Sequence, residues 1–210
     1  MTNVKAIRDS VTNDVAGLDR ISDPELRNAV VSTWSSALRR GGHQRISDVP
    51  QSKGIPDRGL REHINEVTRL ALIILDVAET QYGINANRDV VVAAAILHDV
   101  DKSFIQGWVG GGMVDYLPPY GIDDHGSAGA QLAIDEGIPP EVAALVRDHA
   151  PFNYAGHLPG TVEGTIIHYA DLLAADLAAI QYGATPIHAR SVILKRDHPL
   201  IAGTPTLDAY

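Results

Sequence analysis

Apolar residues recur three and four positions apart along most of the chain, while strict apolar–polar alternation is nearly absent. That pattern predicts an all-α fold. Ser22-Asp23-Pro24, then ELRNAVVSTWSSALRR, then Gly41-Gly42, has a side-chain acceptor at the start, Pro in the first turn, Arg in the last and Gly after it. This is the sequence of a capped helix over about 24–40. From Arg58 to about Tyr82 the residues Leu60, Ile64, Val67, Ala71, Ile74 and Ala78 form one apolar stripe, closed by Gly83. A shorter and very apolar helix is expected from Asn87 to about Asp99, and others over about His125–Glu136, Pro139–His149 and Thr161–Tyr182. Residues 103–122 hold adjacent prolines, Trp108, Tyr116, Tyr120 and a run of glycines, with no period, and read as a long loop. The pattern divides into an N-terminal helical extension over 1–56, a five-helix core over 57–183, and a Pro-containing C-terminal tail over 184–210 that packs on the core. Val30, Val31, Trp34 and Leu38 give the 24–40 helix an apolar face that is expected on the core, with a homodimer left open.

Composition narrows the chemistry. Lys and Arg number 17 against 26 Asp and Glu, a net charge of −9 that suits a small anionic ligand better than long nucleic acid. The chain has no cysteine, which excludes disulfides, thiolate metal sites and thiol catalysis. No apolar stretch is long enough to span a bilayer, and a cytoplasmic protein with no membrane partner is expected. Nine histidines remain to be explained.

Four of them and a carboxylate are spread over the predicted helices: His63 mid-helix, His98 closing the next, His125 opening another, His149 ending another, with Asp171 inside the last long one. Such side chains can converge in a helical bundle, where imidazole and carboxylate suit Mn, Fe, Co, Ni or Zn. His98-Asp99 follows VVVAAAIL, so a carboxylate sits at the end of a buried helix. Burying it unpaired is costly, and a cation accounts for it simply.

The series His63, Ile96-Leu97-His98-Asp99-Val100-Asp101-Lys102, Asp124-His125-Gly126-Ser127-Ala128-Gly129, His149 and Tyr169-Ala170-Asp171 resembles the HD-domain metal-dependent phosphohydrolase superfamily over about 57–183. The resemblance implies that His63, His98, Asp99 and Asp171 hold one divalent metal ion and His125 and His149 a second, with Asp99 bridging. Lys102, three residues past Asp99, is expected to reach substrate oxygens and, with Asp99, to act in catalysis. Asp101 is either an acceptor for a ligand histidine or a surface charge, and Glu66 has the same ambiguity toward His63. Gly129 is expected only to permit close helix packing. His168 shares a helix face with Asp171 and is a substrate-binding candidate or a plain core histidine. The 103–122 loop is expected to act as a lid offering Trp108, Tyr116 or Tyr120, and the segment after His149 places Asn153, Tyr154 and His157 near the mouth. Of these, Tyr154 joins the substrate-binding set.

Three classes of function fit. Hydrolysis of a small, phosphorylated, nucleotide-like substrate leads, because two metals and Lys102 match a phosphate; the same hydrolytic chemistry on a C–N bond is compatible. The runner-up is a di-iron oxygenase of the same superfamily, disfavoured because the phosphonate-cleaving type has a Tyr before its first His and this chain has none before Tyr82. A non-catalytic regulatory module is the third.

Overall fold

Asp23 accepts a hydrogen bond from the Glu25 amide at 2.8 Å, Pro24 fills the first turn, and Gly42 closes the other end with φ 76°. These caps bound helix α2, Pro24–Gly41, which follows a shorter helix α1, Val4–Asp14. The structure, a computed structural model, describes residues 4–149 and 159–186. Trp34 of α2 is fully buried and donates its indole N–H to the Ile96 carbonyl at 3.0 Å, so α2 packs on the core as expected.

Two long helices and three shorter ones form that core: α3 Leu60–Tyr82, α4 Arg88–Leu97, α6 Ser127–Asp135, α7 Pro140–Asp148 and α8 Val162–Gln181. Each lies within a few residues of its predicted range. α4 is buried on every side from Val90 to Leu97, which is why its sequence carries no amphipathic period and reads only as apolar. One hydrophobic cluster runs from Ile7 and Val11 of α1 through Trp34, Leu60, Ile96 and Val142 to Ile167 and Ala174, joining the N-terminal helices to the five-helix core.

The reading of 103–122 as a loop without regular structure is corrected. Lys102–Ile105 form a single helical turn, α5, and an antiparallel hairpin follows, β3 Gln106–Gly110 and β4 Met113–Tyr116. Gln106 pairs with Tyr116, Gly107 with Asp115 and Trp108 with Val114. Gly110, Gly111 and Gly112 all have positive φ, a turn that side chains would resist, so the glycines taken as a sign of looseness are what allows the hairpin. A second hairpin, β1 Pro50–Ser52 with β2 Ile55–Gly59, occupies a stretch assigned to helix and boundary. The two hairpins meet: Gln106 donates to the Pro50 carbonyl at 2.7 Å, and the Lys53 ammonium lies 2.5 Å from Asp115.

Candidate metal centre

The ends of α4 and α7 present imidazoles by the same local device. His98 follows the last turn of α4 and His149 the last turn of α7; each donates Nδ1–H to the carbonyl three residues back, Ala95 at 2.7 Å and Val146 at 2.6 Å. That donation fixes the tautomer and leaves each Nε2 lone pair pointing away from its own helix. His63 comes from the middle of α3 and Asp171 from the middle of α8, while His125 precedes α6.

These side chains converge on Asp99, which is 1% exposed. Its Oδ2 lies 3.2 Å from His63 Nε2 and 3.3 Å from His98 Nε2; Asp171 Oδ1 is 3.1 Å from the same His63 nitrogen. The other oxygen, Oδ1, lies 3.4 Å from His125 Nε2 and 3.5 Å from His149 Nε2. One carboxylate thus faces two groups of nitrogens, one with each oxygen.

Charge in this pocket is heavily constrained. Burial pushes the Asp99 carboxyl up, but the Lys102 ammonium at 2.6 Å and the surrounding imidazoles hold it well below the usual carboxylate range. Asp171 is held low against the same burial, chiefly by its contact with His63. Lys102, partly buried, is kept charged by Asp99. Burial lowers His149, whereas the carboxylates beside His63 and His125 outweigh burial and raise both.

The donor set fits divalent cations. His63, His98 and Asp99 place their ligand atoms within 4.8 Å of one another, and so do Asp99, His125 and His149. Separations of 3.1–3.5 Å between N and O donors are edge lengths of a coordination polyhedron with bonds of about 2.0–2.2 Å. His63 Nε2 and His98 Nε2 stand 3.2 Å apart, and His63 Nδ1 is buried with no partner. With His98 carrying its proton on Nδ1, its Nε2 lone pair is aimed at other acceptors, an arrangement that a cation between them relieves.

The remaining predicted residues are less uniformly placed. Lys102 lies at the centre. Tyr116 is half-buried with its hydroxyl pushed up by burial, and Lys102, Asp101 and Asp99 are close enough to act on it electrostatically; the Lys53 ammonium covers its ring at 4.8 Å. Tyr120 instead packs edge-on against Phe104 and accepts a hydrogen bond from Arg40 at the end of α2. Trp108 is 51% exposed on the hairpin, and His168 packs edge-on against Tyr169. Glu66 pairs with Arg58 rather than His63. Asn153, Tyr154 and His157 lie outside the described residues. A cavity of about 440 Å³ adjoins His149 between α4, α7 and α8, with Asn87, Leu145 and Thr161 in its wall.

Sequence reasoning left Asp101 undecided. It is fully buried: Oδ1 receives His125 Nδ1 at 3.1 Å, and Oδ2 receives the Gly126 amide at 2.5 Å. The signal available was its place two residues after Asp99 in the same turn, together with the glycines at 126 and 129 that let α6 approach. Gly126 has φ 82°, and a Cβ there would stand 2.6 Å from the Arg147 carbonyl; a Cβ on Gly129 would stand 3.4 Å from the Asp101 side chain.

A protein of Methanocaldococcus jannaschii named dihydroneopterin 2',3'-cyclic phosphate phosphodiesterase is 32% identical over 163 residues, 73% of this chain and 64% of its own length. The chain therefore spans slightly less than two thirds of that relative. No solved structure matches significantly. The HD domain family matches residues 60–176, a stretch that covers more than half of the chain and contains His63, His98, Asp99, His125, His149 and Asp171, and the chain belongs to that family.

Proposed function

We propose that this protein is a metal-dependent phosphohydrolase that cleaves a phosphodiester in a small molecule, with cyclic phosphates as the substrate class to test first. The carrying observation is the division of Asp99, one oxygen toward His63 and His98 and the other toward His125 and His149. It supports a dinuclear centre with Asp99 as the bridge, His63, His98 and Asp171 on one side, and His125 and His149 on the other. Divalent cations supply Lewis acidity toward phosphoryl oxygens and acidify water for attack near neutral pH.

The chain's own residues supply the rest. Lys102, held as an ammonium by Asp99, offers positive charge to the non-bridging oxygens as negative charge grows on them. Tyr116 stands in the electrostatic reach of Lys102 and Asp99 and is placed to contact the substrate beside them. Water adds its oxygen to phosphorus, one ester P–O bond breaks, and the departing oxygen takes the proton, leaving a phosphomonoester. The M. jannaschii relative's name, a cyclic phosphate phosphodiesterase, supports the same class.

The test is elemental analysis of protein purified without oxygen or chelator, paired with hydrolysis of 2',3'-cyclic nucleotides and bis(4-nitrophenyl) phosphate. Near two metal equivalents with phosphodiesterase turnover is the expected result. Asp99→Ala, which removes an oxygen from each side, should lose both equivalents and all turnover. A metal-replete, active Asp99→Ala variant would overturn the site, and two irons with substrate-dependent oxygen uptake but no ester cleavage would overturn the reaction.

A further inference from the structure

We infer that Asp101 is a positioning residue for the His125 half of the centre, fixing that imidazole with Nε2 toward Asp99 and so setting the affinity for the second cation. The inference rests on the dinuclear reading above.

The three imidazoles that end or begin a helix are not held alike. His98 and His149 close their helices and use the carbonyl three residues back, a partner that the preceding turn always offers. His125 leads into its helix from a single 3-10 turn, Ile122–Asp124, and there the carbonyl three residues back, Ile122, accepts the His125 backbone amide at 3.3 Å. Its Nδ1 is met instead by Asp101, from the turn that also carries Asp99. A carboxylate acceptor does more than a carbonyl: it fixes the tautomer and raises the basicity of the far nitrogen toward a metal.

A purely structural account falls short of the burial. Accepting the Gly126 amide at the start of α6 needs one neutral oxygen, and a buried carboxylate is a costly way to supply it. Both oxygens of Asp101 are engaged, and both partners are adjacent residues at the start of α6. Gly129, one turn into that helix, faces Val100 and Asp101 with no side chain, which lets α6 settle onto the carboxylate. The HDVDK turn therefore sends one carboxylate between the two halves of the centre and the other behind one half.

Two measurements test this. In metal-free wild-type protein, at a pH where imidazoles are neutral, ¹⁵N long-range spectra should show His125 as the Nδ1–H tautomer; the Nε2–H tautomer would overturn the inference without any variant having to fold. In Asp101→Asn, checked for native circular dichroism, Mn²⁺ titration should find the tighter equivalent unchanged within about twofold and the weaker one reduced by about 10- to 100-fold. Two equivalents with wild-type affinities in that variant would overturn it. A wild-type protein that binds one equivalent would instead overturn the dinuclear reading, which the same titration reads separately.

Discussion

Lys102 is the cation nearest the Asp99 carboxylate, at 2.6 Å from Oδ2, and the burial of Asp99 makes that contact strong. The proposed function gives it two separable tasks: balancing Asp99 in the resting protein and meeting charge on a substrate. Because the imidazoles and Asp171 hold the centre without it, Lys102→Ala should keep its metal while kcat/KM falls by about 10²- to 10³-fold, the loss typical of one preorganised charge donor. Elemental analysis beside steady-state kinetics reads both; parallel loss of metal and activity would make Lys102 a structural counter-ion only. At this scale the sequence was most legible where a residue type is improbable in its setting. A carboxylate after VVVAAAIL demanded a partner, and the spacing of the other ligands supplied it. Asp101 was opaque for the converse reason: an acid in a turn is ordinary on a surface, and only its burial against His125 shows otherwise.

Among the elements, helix ends deliver three of the imidazoles, so the position of each helix along its axis sets the site. α2 contributes no ligand, yet Trp34 is fully buried and bonds the carbonyl of Ile96, two residues before His98. Trp34→Ala should cost about 3–5 kcal/mol in urea unfolding, the range for emptying an aromatic core position; a loss below about 1 kcal/mol would place α2 outside the core. Asp89 fastens the same layer from the start of α4, accepting from the Ser22 amide and hydroxyl and the Asp23 amide at 2.7–2.9 Å. Burial works to raise its pKa, but those donors prevail and depress it. A depressed carboxylate stabilises the fold above its unfolded pKa, about 3.9, and loses that contribution as pH falls through the lower folded value. Asp89→Ala should therefore be less stable than wild type by roughly 1 kcal/mol near pH 7, with the gap closing below about pH 4. A gap independent of pH would assign the contact to packing. The helices were legible because each carries an apolar face or an uninterrupted apolar run over two turns or more. The hairpins were not: β1 is Pro-Gln-Ser, β2 carries Pro56, and in β3–β4 Val114 is the buried apolar residue, so no alternation survives to be read.

Across the whole molecule, the centre draws side chains from α3, the turn after α4, the approach to α6, the end of α7 and the middle of α8. Residues separated in sequence from His63 to Asp171 come within a few ångströms of one carboxylate only when all five are in place. Without a cation, that assembly holds Asp99 and Asp171 ionised in a buried space against Lys102 and whatever protons the imidazoles take up. A cation that binds the folded chain and finds no such cluster in the unfolded one adds its binding free energy to stability. At a free metal concentration of 100 times Kd this is about 2.7 kcal/mol per site. For a chain of this size that corresponds to a rise in Tm of roughly 5–10 °C. Thermal unfolding should therefore shift upward with added Mn²⁺ and back with EDTA, by an amount that grows with the logarithm of free metal. Asp99→Ala separates this from nonspecific binding to an acidic surface: the variant keeps nearly all of the net charge of −9 but loses the carboxylate on which the imidazoles converge, and its Tm should not respond. An equal response in both proteins would mean that the metal acts elsewhere, since the surface is what they share and the Asp99 carboxylate is what they do not.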